Sequence, residues 1–213
     1  MKKQRLAFCK KYCDWTVDQW KAVMFSNETS FQMFQASTRF VRRPIGTSPL
    51  NPRFTSATIK HPPFVMVWGC FSLHGRGALT FLDEGVKMNT EKYLQILNEK
   101  LKDFMLRGGC NTFQQDSAPC HVSKRARAWF AQNDVQLLDW PGYSPDFKPI
   151  ENLWNIIKRK LSARHFTKLD AFRQEITKIW CLEVTREVWQ RLLESMALRI
   201  AEVVKNKGYA AKY

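Results

Sequence analysis

The segment "FVMVWGCFS", Phe64 to Ser72, constrains the fold most. It is a near-continuous run of apolar, β-branched and aromatic residues, without the polar alternation that marks a strand with one wet side. A strand of this kind is buried on both faces and belongs at the centre of a sheet. Around it the chain reads as strands first and helices later. Residues 4–13 predict a short helix, and "DWTVDQW" carries the chain into the first strand. "KAVMFSN" and "SFQMF" lie close together, separated by the polar break Ser26-Asn27-Glu28, which reads as a hairpin. Residues 39–63 hold Pro44, Pro49, Pro52, Pro62 and Pro63 with the clustered Arg39, Arg42 and Arg43, and read as an excursion over the surface. "HGRGALTFLDEG" predicts a turn and a further strand.

From residue 89 the order changes. "NTEKYLQILNEKLKDFMLRGG" predicts a helix capped by Asn89 or Thr90, with an apolar stripe through Tyr93, Leu94, Leu97, Leu101 and Phe104, ended by Gly108-Gly109. "CNTFQQD" and "VQLLDW" read as short strands on either side of the helix "SKRARAWFAQN". "PIENLWNIIKRKLSAR" is a helix with Pro149 suited to its first turn. Only helices follow. Thr167 with Asp170 resembles a capping box, and Trp189, Leu193, Met196, Ile200 and Val203 mark one last helix stopping near Gly208. Strands followed by helix–strand units predict an α/β fold, a mixed sheet with helices on both faces.

The formal net charge is +15 over 213 residues, which points to a polyanionic partner, with nucleic acid ahead of an acidic membrane surface. No apolar run reaches the roughly 18 residues that a membrane span needs, and the basic start "MKKQRLAFCKKYCDW" has no long apolar stretch of a secretion signal. The six cysteines are scattered with no C-x-x-C pair, so reduced thiols are expected. A zinc cluster drawn from Cys9, Cys13 and His121 is a minor alternative.

Two carboxylates stand where chemistry is expected. Asp116 ends a strand, and open sheets place their sites outside strand ends. Glu151 lies in the first turn of its helix, where an anion is also favoured for purely structural reasons. On that helix Ile150, Leu153, Trp154, Ile157 and Leu161 share one face, and Glu151, Asn155, Lys158 and Ser162 share the adjacent polar one. Phosphodiester chemistry uses two divalent ions about 3.5–4 Å apart, held by carboxylates. Magnesium prefers such oxygen ligands. A third acid at the end of the first strand would complete the set, and Asn27 stands there.

"FSNETSFQMF", "VWGCFSLHGRGAL", "FQQDSAPCHVS", "WPGYSPDFKPIENLW" and the final "KY" resemble the catalytic domain of mariner-superfamily cut-and-paste DNA transposases, nearest to the Sleeping Beauty-type branch. The 34 residues between Asp116 and Glu151 (117 to 150) match that branch's interval. The resemblance implies an RNase H-like mixed five-stranded sheet flanked by helices, with a helical C-terminal extension. It implies a lead-in segment over 1–20, a catalytic domain over 21–165 and the extension over 166–213. It also implies an Asp-Asp-Glu triad holding two Mg2+ ions, with Mn2+ as a substitute. Asp116 matches the second aspartate and Glu151 the glutamate, as catalytic residues and metal ligands. Asn27 replaces the first aspartate of a motif like "FSDES". Ser117 departs from the usual asparagine after the second aspartate, and Asp146 matches an acid of the "SPDLNPIENLW" pattern that stabilises the turn.

An amide oxygen brings no charge to a metal, and Glu28, the next residue on the strand, faces the other side. The resemblance therefore implies a transposase domain whose strand cleavage and transfer are severely impaired. The alternative is a non-catalytic, host-retained DNA-binding or regulatory protein. Arg39, Arg42, Arg43, Lys124, Arg125, Lys158, Arg159 and Lys160 are the candidate DNA contacts. The family further implies a nuclear location, a homodimer assembled on transposon ends and target DNA, and two helix-turn-helix modules upstream. These 213 residues begin in what resembles the linker, so a fragment or truncated copy is expected.

Overall fold

The computed structural model describes residues 1–33, 42–55, 62–142 and 144–210. Helices α1 (Lys2–Lys11) and α2 (Val17–Lys21) lead into strand β1 (Val23–Gln32). Strands β2 (Phe64–Ser72) and β3 (Gly75–Phe81) follow, then α3 (Thr90–Ile96), which runs through a π-turn at Leu97–Leu101 into α4 (Lys102–Gly108). After β4 (Thr112–Gln114), α5 (Lys124–Gln132) and β5 (Gln136–Leu137) come α6 (Pro149–Ser162), α7 (Leu169–Lys178), α8 (Arg186–Glu194) and α9 (Met196–Lys205). The five strands form one mixed sheet in the order β3-β2-β1-β4-β5. β1 is antiparallel to β2 and parallel to β4, as a sheet built first from adjacent strands and then from helix crossovers requires.

The first strand corrects the sequence reading. Val23 to Gln32 is a single strand, not a hairpin, and Ser26-Asn27-Glu28 lies in its middle. Phe25 through Gln32 pair without interruption with Phe71 back to Phe64. The polar triplet looked like a turn because core strands seldom carry three polar residues in a row. Here each has a partner beyond the strand: Ser26 Oγ donates to the Gln114 carbonyl at 2.9 Å, and Asn27 and Glu28 are engaged as described below.

Alternation splits β1 between two cores. Val23, Phe25 and Phe31 pack with Ile150, Leu153 and Trp154 of α6 and with α8 and α9. Met24, with Trp68, Cys70 and Phe113, packs beneath α3, α4 and α5. Asn27 shares the parity of Phe25 and so faces α6, whereas Glu28 faces the α3–α5 layer. Opposite Asn27 on β2 is Gly69. A Cβ on Gly69 would stand 2.6 Å from Cη2 of Trp154, so the missing side chain lets α6 lie close against the sheet beside Asn27. Trp154 is fixed there by stacking on Trp180, ring centroids 5.3 Å apart, and by the edge of Phe31 at 5.9 Å.

The outer helices brace the start of α6. Arg5 of α1 donates from both terminal nitrogens to the Asp146 carboxylate at 2.6 Å each, and from Nε to the Gly208 carbonyl at 3.0 Å. Arg199 of α9 donates to the Asp146 carbonyl at 3.1 Å, and Phe8 stacks on Phe147 at 5.7 Å. Asp146 thus steadies the 3-10 turn Pro145–Phe147 through a buried bidentate pair.

Three local expectations need revision. "DWTVDQW" is not merely a lead-in, because Thr16 and Gln19 form a reciprocal capping box that starts α2. The Thr167–Asp170 box does not form, since α7 starts after Lys168 without a side-chain cap. The last helix is two, α8 and α9, broken at Ser195, whose hydroxyl donates back to the Leu192 carbonyl at 2.6 Å. In the stretch read as a surface excursion, residues 42–50 are almost entirely exposed and Pro52–Phe54 make a 3-10 turn, while Arg39 lies outside the described residues.

Candidate active site

The parallel pairing of β1 with β4 ends at Phe25 and Gln114. Two residues further on stand Asn27, still within β1, and Asp116, just past the end of β4, where the two strands part. Pro149 opens α6, and its first turn brings Glu151 to the same place. The three residues that sequence reasoning selected line one cavity of about 320 Å³, together with Ser117, Trp140 and Lys148.

Asn27 is only 7% exposed, and its amide is used at both ends. Nδ2 donates to Glu151 Oε1 at 2.7 Å, and Oδ1 accepts from Lys148 Nζ at 2.9 Å. Lys148 is 3% exposed. Its Nζ stands 3.9 Å from Asp116 Oδ2. Burial lowers the Lys148 ammonium below the usual lysine range, opposed by the charges of Asp116, Glu28 and Glu151.

On the other side Asp116 Oδ1 accepts from the Ala118 amide at 3.0 Å and lies 2.7 Å from His121 Nδ1. His121 Nε2 lies 3.2 Å from Glu28 Oε1. The imidazole, 3% exposed, packs on the Tyr93 ring at 4.2 Å between centroids. Tyr93 donates its hydroxyl to Gln115 Oε1, and Gln115 Nε2 donates to the His121 carbonyl at 3.2 Å. Burial works against a charged His121, but its bonds to Asp116 and Glu28 outweigh that and push it up to about 9. Burial would likewise raise the Asp116 carboxyl. The His121 bond and the Lys148 charge instead hold it well below the usual carboxylate range.

Sequence reasoning missed two members of this site. The one sequence signal for Lys148 is that, in "SPDFKPIENLW", it stands in place of the asparagine of "SPDLNPIENLW". From the sequence His121 reads only as a zinc partner of Cys9 and Cys13. The structure takes both of its nitrogens for carboxylates and buries Cys9 in the core beside α6. Glu28 does face away from Asn27, yet it reaches the site through that imidazole.

The candidate DNA contacts do not form one patch. Lys124 and Arg125 sit on α5, on one face of the sheet, and Lys158, Arg159 and Lys160 on α6, on the other. Arg125 is paired with Glu91, Lys160 with Glu183 at 2.8 Å, and Lys158 donates to Thr29 Oγ1 at 2.9 Å. Arg42, Arg43, Lys124 and Arg159 are exposed, and among the described residues no carboxylate pairs with them.

Asn27, Asp116 and Glu151 supply two carboxylates and an amide oxygen that already accepts from an ammonium. A fixed cation stands within 4 Å of two of the oxygens that a divalent ion would need. As placed, these residues do not fit a pair of divalent ions. Among the described residues, Glu28, Asp116 and His121 also bring three ligand atoms within 4.8 Å of one another. There the imidazole itself fills the space between the two carboxylates.

The strand order and the meeting of β1, β4 and α6 at one set of polar side chains define an RNase H-like domain. Comparison with known proteins agrees. Residues 22–173 match the family described as DDE superfamily endonuclease. The chain is 34% identical over 213 residues to the Tc1 transposase of Caenorhabditis elegans, covering 98% of this chain and 77% of that protein. It superposes on the catalytic domain of Mos1 mariner transposase with a TM-score of 0.76 at 16% identity, covering 99% of this chain and 95% of that one. Against a mariner Mos1 paired end complex with Mg the TM-score is 0.85 at 16% identity, with 99% of this chain matched to 63% of the Mos1 chain. The chain belongs to the DDE superfamily endonucleases and corresponds to the catalytic domain of a Tc1/mariner-type transposase.

Proposed function

We propose that this domain keeps the framework for phosphodiester chemistry on transposon-end DNA but has lost most of its strand cleavage and transfer. The observation that carries the reading is the double engagement of the Asn27 amide, by Glu151 on one side and Lys148 on the other. An amide in place of a carboxylate removes one negative charge at coordination distance, which in a partly buried site costs several kcal/mol of metal affinity. Each 1.4 kcal/mol is about tenfold. The paired end complex of Mos1 with Mg supports magnesium and DNA as what the intact framework serves.

The test uses the purified chain, pre-cleaved transposon-end duplexes and Mg2+ or Mn2+, beside Asp116→Ala and Glu151→Ala. No strand-transfer product above those two variants is expected. Product that either substitution abolishes would overturn the reading.

A second reading, DNA binding without catalysis, is favoured by the net charge of +15 and by the exposed Arg42, Arg43, Lys124 and Arg159. Binding through phosphates alone weakens steeply with salt and shows no sequence preference. Equal affinity for transposon-like and random duplexes, falling with salt, is expected. Affinity that is flat between about 50 and 200 mM salt rules that reading out.

A further inference from the structure

Asn27 is not the only reason that this site disfavours a metal. Lys148 Nζ is the buried cation of the cavity, 2.9 Å from Asn27 Oδ1 and 3.9 Å from Asp116 Oδ2. A divalent ion shared between the first and second triad positions would have to stand in the same space. The ammonium cannot swing into solvent at little cost, because its side chain is 4% exposed and the Pro145–Phe147 turn before it is braced by Arg5 and Arg199. Glu151, the remaining carboxylate, is held through the same amide, so all three positions are already joined around one fixed positive charge.

We propose that Lys148 is the built-in counter-cation of this site, occupying the place of a divalent ion between Asp116 and position 27, and that it excludes metal independently of Asn27. An aspartate restored at position 27 would then pair with Lys148 instead of binding an ion. Both residues would have to change before metal returns. The inference rests on reading Asn27, Asp116 and Glu151 as the remains of a metal site.

Mn2+ binding separates the possibilities without any activity. The free-ion electron paramagnetic resonance signal is titrated with the unaltered chain, Asn27→Asp, Lys148→Met and Asn27→Asp/Lys148→Met, with circular dichroism as the check on folding. The double variant is expected to bind at least about 30-fold more tightly than Asn27→Asp, since an ion entering Asn27→Asp must displace or sit against a buried ammonium that repels it strongly. The unaltered chain and Lys148→Met are expected to bind weakly. Equal affinity of Asn27→Asp and the double variant would overturn the role of Lys148 while leaving the metal-site reading intact. So would an unaltered chain that binds as tightly as the double variant. Binding by none of the four would remove the metal-site reading and the proposal with it. If methionine prevents folding, Lys148→Gln in the Asn27→Asp background carries the same expectation.

Discussion

The two oxygens of Asp116 face two differently built halves of one site. Oδ1 takes direct hydrogen bonds from a backbone amide and from an imidazole that Glu28 and Tyr93 hold in turn. Oδ2 faces an ammonium at 3.9 Å, beyond hydrogen-bonding distance, and that ammonium is bonded to a neutral amide. On the first side the carboxylates create the charge of His121, against its burial. On the second the charge of Lys148 is buried at the expense of its own hydration. Similar burial therefore has opposite consequences: direct bonds to two carboxylates hold the proton on His121, whereas a carboxylate 3.9 Å away does not offset the burial that lowers Lys148.

His121→Ala should be the most damaging change, since it removes the shared partner of two carboxylates. A loss of about 3–5 kcal/mol in urea unfolding is expected. Gly69→Ala comes next, at about 1–3 kcal/mol, because its methyl would meet Trp154 at 2.6 Å. It should disturb the Lys148 half alone, so an unchanged His121 ring signal by NMR is part of that expectation. Lys148→Met leaves the Asn27 carbonyl without its donor but relieves a buried ammonium, and a net loss under about 2 kcal/mol is expected. A larger loss than for His121→Ala would reverse the contrast between the halves. The His121 half also carries a signature in pH. Folded His121 keeps its proton to about 9, against an ordinary value of 6.5, so its contribution is complete below 6.5 and fades as pH rises through 9. The stability difference between the unaltered chain and His121→Gln should shrink over that interval. Asp116 works in the opposite sense: its contribution is present above the usual carboxylate range and is lost only as pH falls through its depressed folded value.

Most of the sheet was legible because Phe64–Ser72 admits one position in a fold, and the later strands are bracketed by helices with clear stripes. Asp116 and Glu151 were legible because each sits at an element end. The continuity of β1 was not, since three adjacent polar residues look like a turn until their partners on other elements are known. The break at Ser195 was hidden because Trp189, Leu193, Met196, Ile200 and Val203 keep helical spacing across it. Lys148 was overlooked for a related reason. A lysine before a proline reads as a solvated residue, and its burial beside Asn27 and Asp116 shows only once β1, β4 and α6 are brought together.

The bracing of the Pro145–Phe147 turn has a mechanical consequence. Arg5 and Arg199 come from helices near opposite ends of the described chain, and both grip Asp146, two residues from Lys148. The floor of the cavity is therefore clasped from outside. A pull on α1, or a cut between α8 and α9, would be transmitted to the ammonium that sits between Asn27 and Asp116, although neither helix lines the cavity itself.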